Sequence, residues 1–289
     1  MFTFGAYLWG KNSWSVDYDP IKNRFGDLVA ERPWLTRPFY AALQLFFLRN
    51  WYVRRELNRV ISQYPNRTNL RILDAGTGFG QFSFHMAKNF PGLRIEAVDV
   101  KDEYLERARR FFDSQGLSGR VSFAKDDLTD LQATGPFDLI LSVDVMEHIE
   151  DDERVFRNFK SVLAPGGLLI INTPSDLGGS DTSGLDGQSF IGEHVRDGYN
   201  KDDLSEKLQS AGLHPRKMIY TYGVFGDIAW RLLIKLPMIL LGASKYLVLL
   251  LPFYYVPILP IGILLNFLDL RSANEEGTGL LVVAENPAN

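Results

Sequence analysis

The sequence predicts an α/β fold, because a short apolar strand, a glycine-rich turn and a helical stretch follow one another near residue 70. Residues 70–73 (LRIL) form the apolar run, residues 74–81 (DAGTGFGQ) the turn, and residues 82–88 (FSFHMAK) the helical stretch. Residues 94–99 (RIEAVD) then form a second strand, which ends in an acid about 20 residues beyond the glycines. This order is typical of a nucleotide-binding βαβ unit, in which the two strands lie parallel.

The glycine spacing and the leading acid indicate which kind of ligand the turn binds. Glycine tolerates the unusual dihedrals of such a turn and lets a ligand approach the backbone closely. The dinucleotide fingerprint is G-x-G-x-x-G, whereas residues 74–80 read D-x-G-x-G-x-G. A carboxylate beside the turn repels a pyrophosphate but suits a cationic ligand such as S-adenosylmethionine, and Asp99 can accept hydrogen bonds from both ribose hydroxyls. A glycine turn that binds no ligand is the alternative.

Three later segments extend this pattern. Residues 120–128 (RVSFAKDDL) form a strand that ends in acids, residues 137–149 (FDLILSVDVMEHI) a strand with a polar segment behind it, and residues 163–172 (LAPGGLLIIN) a helix end, a turn and a strand. Together with the turn, these segments resemble the motifs of class I S-adenosylmethionine-dependent methyltransferases over about residues 70–213. The resemblance implies an enzyme with a Rossmann-like sheet of seven strands, mostly parallel with the last strand antiparallel. It says almost nothing about the methyl acceptor.

The resemblance also implies which residues bind the cofactor, S-adenosylmethionine. In this family the glycine turn, the acid after the second strand and the ends of the third and fourth strands line the cofactor site. Asp127 fits the position of the family's adenine-binding acid better than Asp126 does. The residues implied in cofactor binding are Asp74, Gly76, Thr77, Gly78, Gly80, Gln81, Asp99, Val100, Asp127, Leu128, Ser142 and Val143.

Composition and charge narrow the class of function. The chain has 289 residues, a net charge of −4 and no cysteine, which excludes disulfides, thiolate metal sites and a cysteine nucleophile, and we predict no metal centre. Residues 1–66 carry nine basic and five acidic residues, whereas the remainder is acidic, which disfavours nucleic acid as a partner. The first ten residues lack the basic start of a signal peptide, and we expect a cytoplasmic protein.

We divide the chain into an N-terminal helical cap, residues 1–66, and a methyltransferase core, residues 67–289. Within the cap, residues 36–63 predict one long helix with Thr36 as its N-cap. Its first half is apolar almost all round, and its second half alternates aromatic residues with arginines, a mixture that membrane interfaces favour. The alternative is a helix that packs on the core and covers the cofactor site.

The core contains a hydrophobic helical insertion, residues 223–274, between its last two strands. Alternation predicts these strands at residues 214–222 and 279–285, and between them lies an uncharged run, residues 246–268, long enough to cross a bilayer. A single crossing conflicts with the fold, because both flanking strands belong to one soluble sheet and the chain must return to the side it left.

Prolines and basic residues indicate how the insertion meets a membrane. Pro252, Pro257 and Pro260 are expected to break the apolar run into short pieces, which favours a shallow or re-entrant helical hairpin in one leaflet and a monotopic protein. Four basic residues lie near the apolar pieces, where they can reach anionic headgroups: Arg231, Lys235, Lys245 and Arg271. The alternatives are a hydrophobic lid or a buried homodimer interface.

Few residues qualify for chemistry on the acceptor. Methyl transfer to a phenol or a carbon acid needs a base that takes the proton, and the chain has four histidines. His194, in a polar loop after the fifth strand, is the first candidate for this base, and His148 is the second. Tyr18 and Tyr199 are predicted to position the acceptor.

The predicted function is transfer of a methyl group to a lipophilic small molecule at the membrane surface, as part of lipid biosynthesis. O-methylation of a prenylated phenol or quinone precursor is favoured, with C-methylation of a terpenoid lipid and N-methylation of an aminophospholipid as alternatives. The non-enzymatic alternative is a catalytically silent, cofactor-binding subunit that docks other enzymes on the membrane. The intact glycine turn and the acids Asp99 and Asp127 argue against it.

Overall fold

A seven-stranded sheet forms the centre of the protein. The computed structural model describes residues 33–64, 69–178 and 195–288. The strands are β1 (Arg71–Ala75), β2 (Arg94–Asp99), β3 (Val121–Lys125), β4 (Phe137–Val143), β5 (Leu163–Pro174), β6 (His214–Thr221) and β7 (Gly279–Glu285). They lie in the order β3-β2-β1-β4-β5-β7-β6; β1 to β5 pair in parallel, and β7 is antiparallel to both β5 and β6. The predicted fold class is confirmed.

Helices cover both faces of the sheet. They are α1 (Pro33–Phe46), α2 (Leu48–Gln63), α3 (Gln81–Asn89), α4 (Asp102–Ser114), α5 (Asp152–Val162), α6 (Lys201–Ser210), α7 (Val224–Trp230), α8 (Leu236–Ala243) and α9 (Leu251–Arg271). One face packs Ile72 and Ile95 against α1 to α4, and the other packs Leu73 and Ile140 against α5 and α6. Strands buried on both faces consist almost wholly of apolar residues, which explains the apolar runs in the sequence.

The N-terminal segment forms two helices where the sequence predicts one. α1 begins at Pro33, so Thr36 lies inside the helix and is not its N-cap, as had been predicted. α1 and α2 are separated by Phe47, whose backbone is extended (φ −105°, ψ 111°). The break directs Leu48 into the core, where it is fully buried together with Tyr52 of the next turn. α2 therefore packs on the core.

The insertion between β6 and β7 folds into a helical hairpin. One leg consists of α7, a π-helical turn (Arg231–Lys235) and α8; a 3-10 turn (Lys245–Leu250) leads into the other leg, α9. α9 is one helix of 21 residues with Pro257 and Pro260 in its interior, so the prediction that prolines break this run was wrong. The stretch Tyr246–Arg271 is long and apolar enough to cross a membrane, and only 6% of its most apolar part is buried within the structure.

Two tyrosines of α9 hold the legs together by satisfying carbonyls that lack helical donors. Pro237 has no N–H, so the Leu233 carbonyl loses its α-helical donor and accepts from the Tyr255 hydroxyl instead (2.8 Å). The π-helical turn likewise takes the usual donor from the Leu232 carbonyl, which accepts from the Tyr254 hydroxyl (2.7 Å). These contacts fix α9 against the first leg and help it to remain helical through its prolines.

The hairpin leaves the sheet at the edge where the parallel strands end. Thr221, Gly279 and Pro174 are level with one another in the β6-β7-β5 ladder. The hairpin thus begins and ends beside the carboxyl end of β5. Open α/β sheets bind their ligands at this edge, so the insertion lies next to the expected site.

Candidate active site

The glycine turn after β1 has a backbone that other residues rarely adopt. Gly76, Gly78 and Gly80 have φ values of +80°, +54° and +77°, a region that favours glycine. The N–H groups of Gly76 and Thr77 both donate to the Val98 carbonyl (2.9 Å each), which fixes the turn to β2. A Cβ on Gly76 would lie 2.2 Å from a methyl group of Val145, whereas a Cβ on Gly78 would meet open space.

Asp74 holds this turn from inside the core. Its carboxylate is 3% exposed and accepts from the Thr77 hydroxyl (2.8 Å) and the Ser83 hydroxyl (2.6 Å). Burial raises the pKa of Asp74 to about 6, although these two hydrogen bonds oppose the shift. Asp74 therefore organises the turn, and Gln81 follows directly as the first residue of α3.

Asp99 closes the other side of the turn. One carboxylate oxygen accepts from the Gly78 N–H (2.8 Å) and the other from the Lys101 N–H (2.9 Å). The residue is half-buried at the end of β2, so each oxygen keeps lone-pair capacity for a further donor such as a ribose hydroxyl. Val100 beside it is 54% exposed and offers an apolar surface at the mouth of the site.

The end of β3 separates the two neighbouring acids. Asp126 is buried and accepts from the backbone N–H groups of Gln132 and Ala133 (both within 3.1 Å), so its role is to fix the following loop. Asp127 is exposed and caps a short 3-10 turn through the Thr129 N–H, while Leu128 is buried beneath it. The accessible acid is the one that the sequence favoured for contact with adenine.

The end of β4 completes the predicted cofactor set. Ser142 is fully buried, and its hydroxyl oxygen has no hydrogen-bond partner among the described residues. Val143 next to it is half-buried. A buried hydroxyl without a partner marks a place where a bound group can supply one.

These residues fit S-adenosylmethionine. The open space at Gly78, the accessible acids Asp99 and Asp127, and the exposed apolar Val100 follow the carboxyl ends of neighbouring parallel strands. Two carboxylates suit hydroxyl and amino donors, and apolar surface suits an adenine ring. The described residues contain no cluster of three or more His, Cys, Asp or Glu that could hold a metal ion.

A second polar group lies on the other side of β4. Asp144, directly after the strand, forms an ion pair with the Arg49 guanidinium, and its other oxygen accepts from the Asn172 side chain (3.1 Å). Glu147, three residues later, is 1% exposed and accepts from the Thr173 hydroxyl (3.1 Å). Burial, and next the charge of Asp144, raise the pKa of Glu147 well above its usual range. This group can hold a proton beside the site.

The predicted catalytic and acceptor-binding residues are only partly described. His194 and Tyr18 lie outside the described residues, so their roles stay predictions. His148 is half-buried in the 3-10 turn Met146–His148 behind β4 and remains a candidate base. The described chain resumes at Val195, whose N–H donates to the Glu147 carbonyl (3.1 Å).

Tyr199 does not occupy the position that the sequence predicted. It is 1% exposed, and its hydroxyl donates to the Asp152 carboxylate (2.6 Å) inside a network that also contains Arg196 and Lys207. A buried hydroxyl engaged in this way links α5 to the start of α6 and is not available to an acceptor.

Three residues near the site were missed or undervalued by sequence reasoning. Arg49 is one of several arginines in α2, and nothing local distinguishes it. Tyr222 directly follows β6, and its hydroxyl accepts from the Arg49 N–H (3.1 Å). Glu147 is not singled out by the sequence analysis; its position in the polar segment after an apolar strand was the available signal.

Comparison with known proteins agrees with this geometry. A family model described as a methyltransferase domain matches residues 66–212, which are 147 of the 289 residues. A ubiquinone biosynthesis O-methyltransferase of Caulobacter sp. (strain K31) is 34% identical over 166 residues, covering 56% of this chain and 64% of that protein. Ajmaline N-methyltransferase of Rauvolfia serpentina is 32% identical over 122 residues, covering 41% and 42%. The chain thus spans less than two thirds of the length of these curated relatives.

Solved structures share the fold at low sequence identity. A putative sarcosine dimethylglycine methyltransferase from Galdieria sulphuraria superimposes with a TM-score of 0.56 at 17% identity, covering 82% of this chain and 84% of that one. Haemonchus contortus phosphoethanolamine N-methyltransferase 2, in complex with S-adenosyl-L-methionine, gives 0.53 at 20% identity, covering 81% and 52%. At these identities the likeness concerns the fold alone.

Proposed function

The chain belongs to the methyltransferase-domain family, and we propose that it is an S-adenosylmethionine-dependent methyltransferase whose acceptor is a lipophilic small molecule taken from a membrane surface. The observation that carries this proposal is the position of the apolar hairpin. It emerges at the carboxyl edge of the sheet, the same edge that carries the acids and glycines of the cofactor site, and its base lies beside the end of β5.

The residues of the cofactor site have different roles, which follow from their positions. Asp99 and Asp127 would hold hydroxyl and amino groups, and the turn from Gly76 to Gly80 would let the ligand approach the backbone. When bound, S-adenosylmethionine supplies an electrophilic sulfonium methyl group. Asp74 stays in the core and keeps the turn in shape through Thr77 and Ser83.

The hairpin exposes many large apolar side chains, and exposed apolar surface of this kind is typical of contact with a membrane or another protein. Tyr246, Leu249, Phe253 and Val256 are each more than 70% exposed. Further large apolar side chains on the hairpin are also exposed: Val224, Phe225, Ile228, Leu236, Ile239, Val248, Leu250, Ile261, Leu264 and Phe267. Contact with a bilayer would bury this surface.

Charges along the hairpin suggest how deep it enters. Arg231 pairs with Asp227 (2.8 Å), and Lys235 lies over the Trp230 ring, at the end of the first leg that is nearer the sheet. Beyond Lys235, residues 236–253 contain one charged residue, Lys245. The eight residues of α8 extend about 12 Å, which is less than the roughly 15 Å of hydrocarbon in one leaflet.

Lys245 favours a shallow, tilted position over a perpendicular one. A lysine at the bilayer centre costs about 2.5–3.5 kcal/mol, whereas one near the headgroups pairs with anionic lipid. A hairpin within one leaflet also returns the chain to the side it left, as the shared sheet requires. The protein is then monotopic and faces the cytoplasm.

The choice of acceptor follows from the apolar surface of the hairpin and the polar groups at the strand ends. We favour a prenylated phenol or quinone precursor, because its apolar tail can stay in the hairpin and bilayer while its hydroxyl reaches the strand ends. A base would take the phenol proton, and S-adenosylmethionine, held at the glycine turn, Asp99 and Asp127, would supply its methyl group to the phenol oxygen as the carbon–sulfur bond breaks. His148 and His194 are the candidates for this base, and burial raises the pKa of Glu147, the neighbour of His148 in the chain. The similarity to a ubiquinone biosynthesis O-methyltransferase supports this choice.

Other acceptors remain alternatives of the same reaction class. C-methylation of a terpenoid lipid would need the same base, whereas N-methylation of an aminophospholipid would need none if its amine is neutral. The similarity to ajmaline N-methyltransferase favours neither lipid. A docking subunit without catalysis is the non-enzymatic alternative, and a homodimer through the hairpin is the alternative to membrane contact.

Vesicle flotation tests the membrane part of the proposal. Phe253→Ser with Val256→Ser removes two side chains that are each 75% exposed, so the fold should be unaffected. We expect the wild type to float with vesicles of 30 mol% phosphatidylglycerol in phosphatidylcholine, and the double variant to lose most of this binding. Leu177→Ser, which removes an exposed leucine outside the hairpin, is the matched control. Equal flotation of the wild type and the double variant would contradict the proposal.

A further inference from the structure

Arg49 connects three parts of the protein at the carboxyl edge of the sheet. It stands in the first turn of α2, directly after the break at Phe47. Its guanidinium pairs with Asp144 after β4, and its backbone N–H donates to the Tyr222 hydroxyl after β6 (3.1 Å). The side chains of Arg49 and Asp144 are 28% and 24% exposed, so the pair is partly shielded from solvent. An ion pair in this setting is stronger than one on an open surface.

Both partners of Arg49 have strained backbones. Asp144 and Tyr222 have φ values of +53° and +55°, which non-glycine residues seldom adopt. Such conformations persist where the surroundings enforce them, and they concentrate at functional sites. Asn172 adds to the restraint on Asp144, because its carbonyl accepts from the Asp144 N–H (2.8 Å) and its side chain donates to the carboxylate.

The residues that follow Asp144 include His148, a candidate base for the acceptor. Glu147 and His148 lie in the 3-10 turn three and four residues on, and Thr173 and the Val195 N–H bond Glu147. A shift of Asp144 would therefore carry this turn with it. Arg49 also places a positive charge beside Asp144, and this charge opposes the rise in the pKa of Glu147 that burial and Asp144 cause.

The same helix contacts the base of the hairpin. Tyr52, one turn after Arg49, donates its hydroxyl to both the carboxylate (2.7 Å) and the carbonyl (2.8 Å) of Asp269 near the end of α9. Asp269 is fully buried, and its other oxygen accepts from the Gly226 N–H of α7 (2.8 Å). One carboxylate thus joins both legs of the hairpin to α2.

We propose that Arg49 is a positioning residue for methyl transfer: through Asp144 it holds the turn of Glu147 and His148, and α2 links this turn to the seating of the hairpin. The link to the hairpin rests on the proposed membrane contact, whereas the action of Arg49 on the turn does not. Binding of the hairpin to a bilayer then stabilises this turn, so that the enzyme is more ordered where its acceptor is found.

Hydrogen exchange of residues 144–149 tests the first half of this proposal. The amides of Asp144, His148 and Ile149 donate to described carbonyls, so their exchange reports the order of the turn. Loss of a partly buried charged pair in Arg49→Gln should speed this exchange about tenfold to a hundredfold. Arg49→Lys keeps the charge but not the planar guanidinium, so its exchange rate should lie between those of the wild type and Arg49→Gln. Arg59→Gln, an exposed arginine of the same helix, is the matched control.

Vesicle binding tests the second half of the proposal, the link between the hairpin and the turn of Glu147 and His148. Adding the anionic vesicles used for flotation should slow exchange of residues 144–149 in the wild type, and this effect should be lost in Tyr52→Phe while flotation persists. Wild-type exchange that is unchanged by bound vesicles would overturn the link to the hairpin. No flotation at all would overturn the membrane proposal instead. Equal exchange in Arg49→Gln and Arg59→Gln without vesicles would overturn the positioning role of Arg49.

Discussion

Replacing Gly76 by alanine adds one heavy atom, Cβ, to the cofactor turn, and the surroundings of this atom determine how much stability is lost. The new Cβ would lie 2.2 Å from a Val145 methyl group, and the residue would have to keep a φ of +80°. The left-handed conformation costs an alanine about 1–2 kcal/mol, and overpacking costs about 1–3 kcal/mol. We therefore expect Gly76→Ala to lower the free energy of unfolding by about 2–5 kcal/mol.

Two further variants separate the two causes. Gly78→Ala shares the positive φ but has open space at its Cβ, so it should lose only about 1–2 kcal/mol. Val145→Ala relieves the clash, so the double variant Gly76→Ala/Val145→Ala should be less destabilised than the two single changes added together. Urea unfolding measures these differences, and calorimetric titration with S-adenosylhomocysteine shows whether the turn still binds. Equal stability of Gly76→Ala and Gly78→Ala, or strict additivity with Val145→Ala, would refute the geometry described for the turn.

Three other predictions concern the site and the hairpin. Asp99→Asn keeps the shape of the side chain, but its amide cannot accept from both the Gly78 and the Lys101 N–H groups. We expect it to weaken S-adenosylmethionine binding by about tenfold to a hundredfold in calorimetry, with the exposed Asp102→Asn as the control. Equal affinities of the wild type and Asp99→Asn would remove Asp99 from the site. Because burial raises the pKa of Asp74 to about 6 from 3.8, the folded state holds that proton more tightly than the unfolded chain does. The stability that this proton contributes is fully present below pH 4 and is lost as the pH rises to 6. In urea unfolding, the free energy of unfolding of the wild type should therefore fall by up to about 3 kcal/mol relative to that of Asp74→Asn over this interval. Parallel pH profiles of the two proteins would contradict this prediction. Tyr255→Phe removes the donor to the Leu233 carbonyl and should lower the free energy of unfolding by about 1–3 kcal/mol, measured by thermal unfolding. The loss should be smaller in a Pro237→Ala background, because residue 237 then has a backbone N–H that can donate to the same carbonyl. The same loss in both backgrounds would refute this role of Tyr255.

The sheet and the cofactor turn could be predicted because their signals are local. Residues 70–99 show a buried strand, a glycine turn and a second strand ending in an acid within thirty residues, and each feature has its own physical cause. The pairing of the last two strands follows from their alternation and from the resemblance to a family. No long-range contact had to be guessed for either.

The remaining features depend on contacts between residues far apart in the chain. No glycine or proline marks the break at Phe47, which arises because Leu48 and Tyr52 enter the core. α9 stays helical through its prolines while Tyr254 and Tyr255 bond the other leg, an arrangement that composition alone does not reveal. Tyr199 was misplaced for the same reason, since only the fold brings Asp152 to its hydroxyl.

Transfer of label from methyl-labelled S-adenosylmethionine into a total membrane extract shows whether the protein methylates a lipophilic acceptor. The extract is separated into organic and aqueous phases after incubation with the wild type or with Asp99→Ala as the inactive control. We expect label in the organic phase with the wild type only, in a product whose mass identifies O-, C- or N-methylation. Label confined to the aqueous phase would contradict a lipophilic acceptor, and no label in either phase despite cofactor binding would favour the non-catalytic docking subunit.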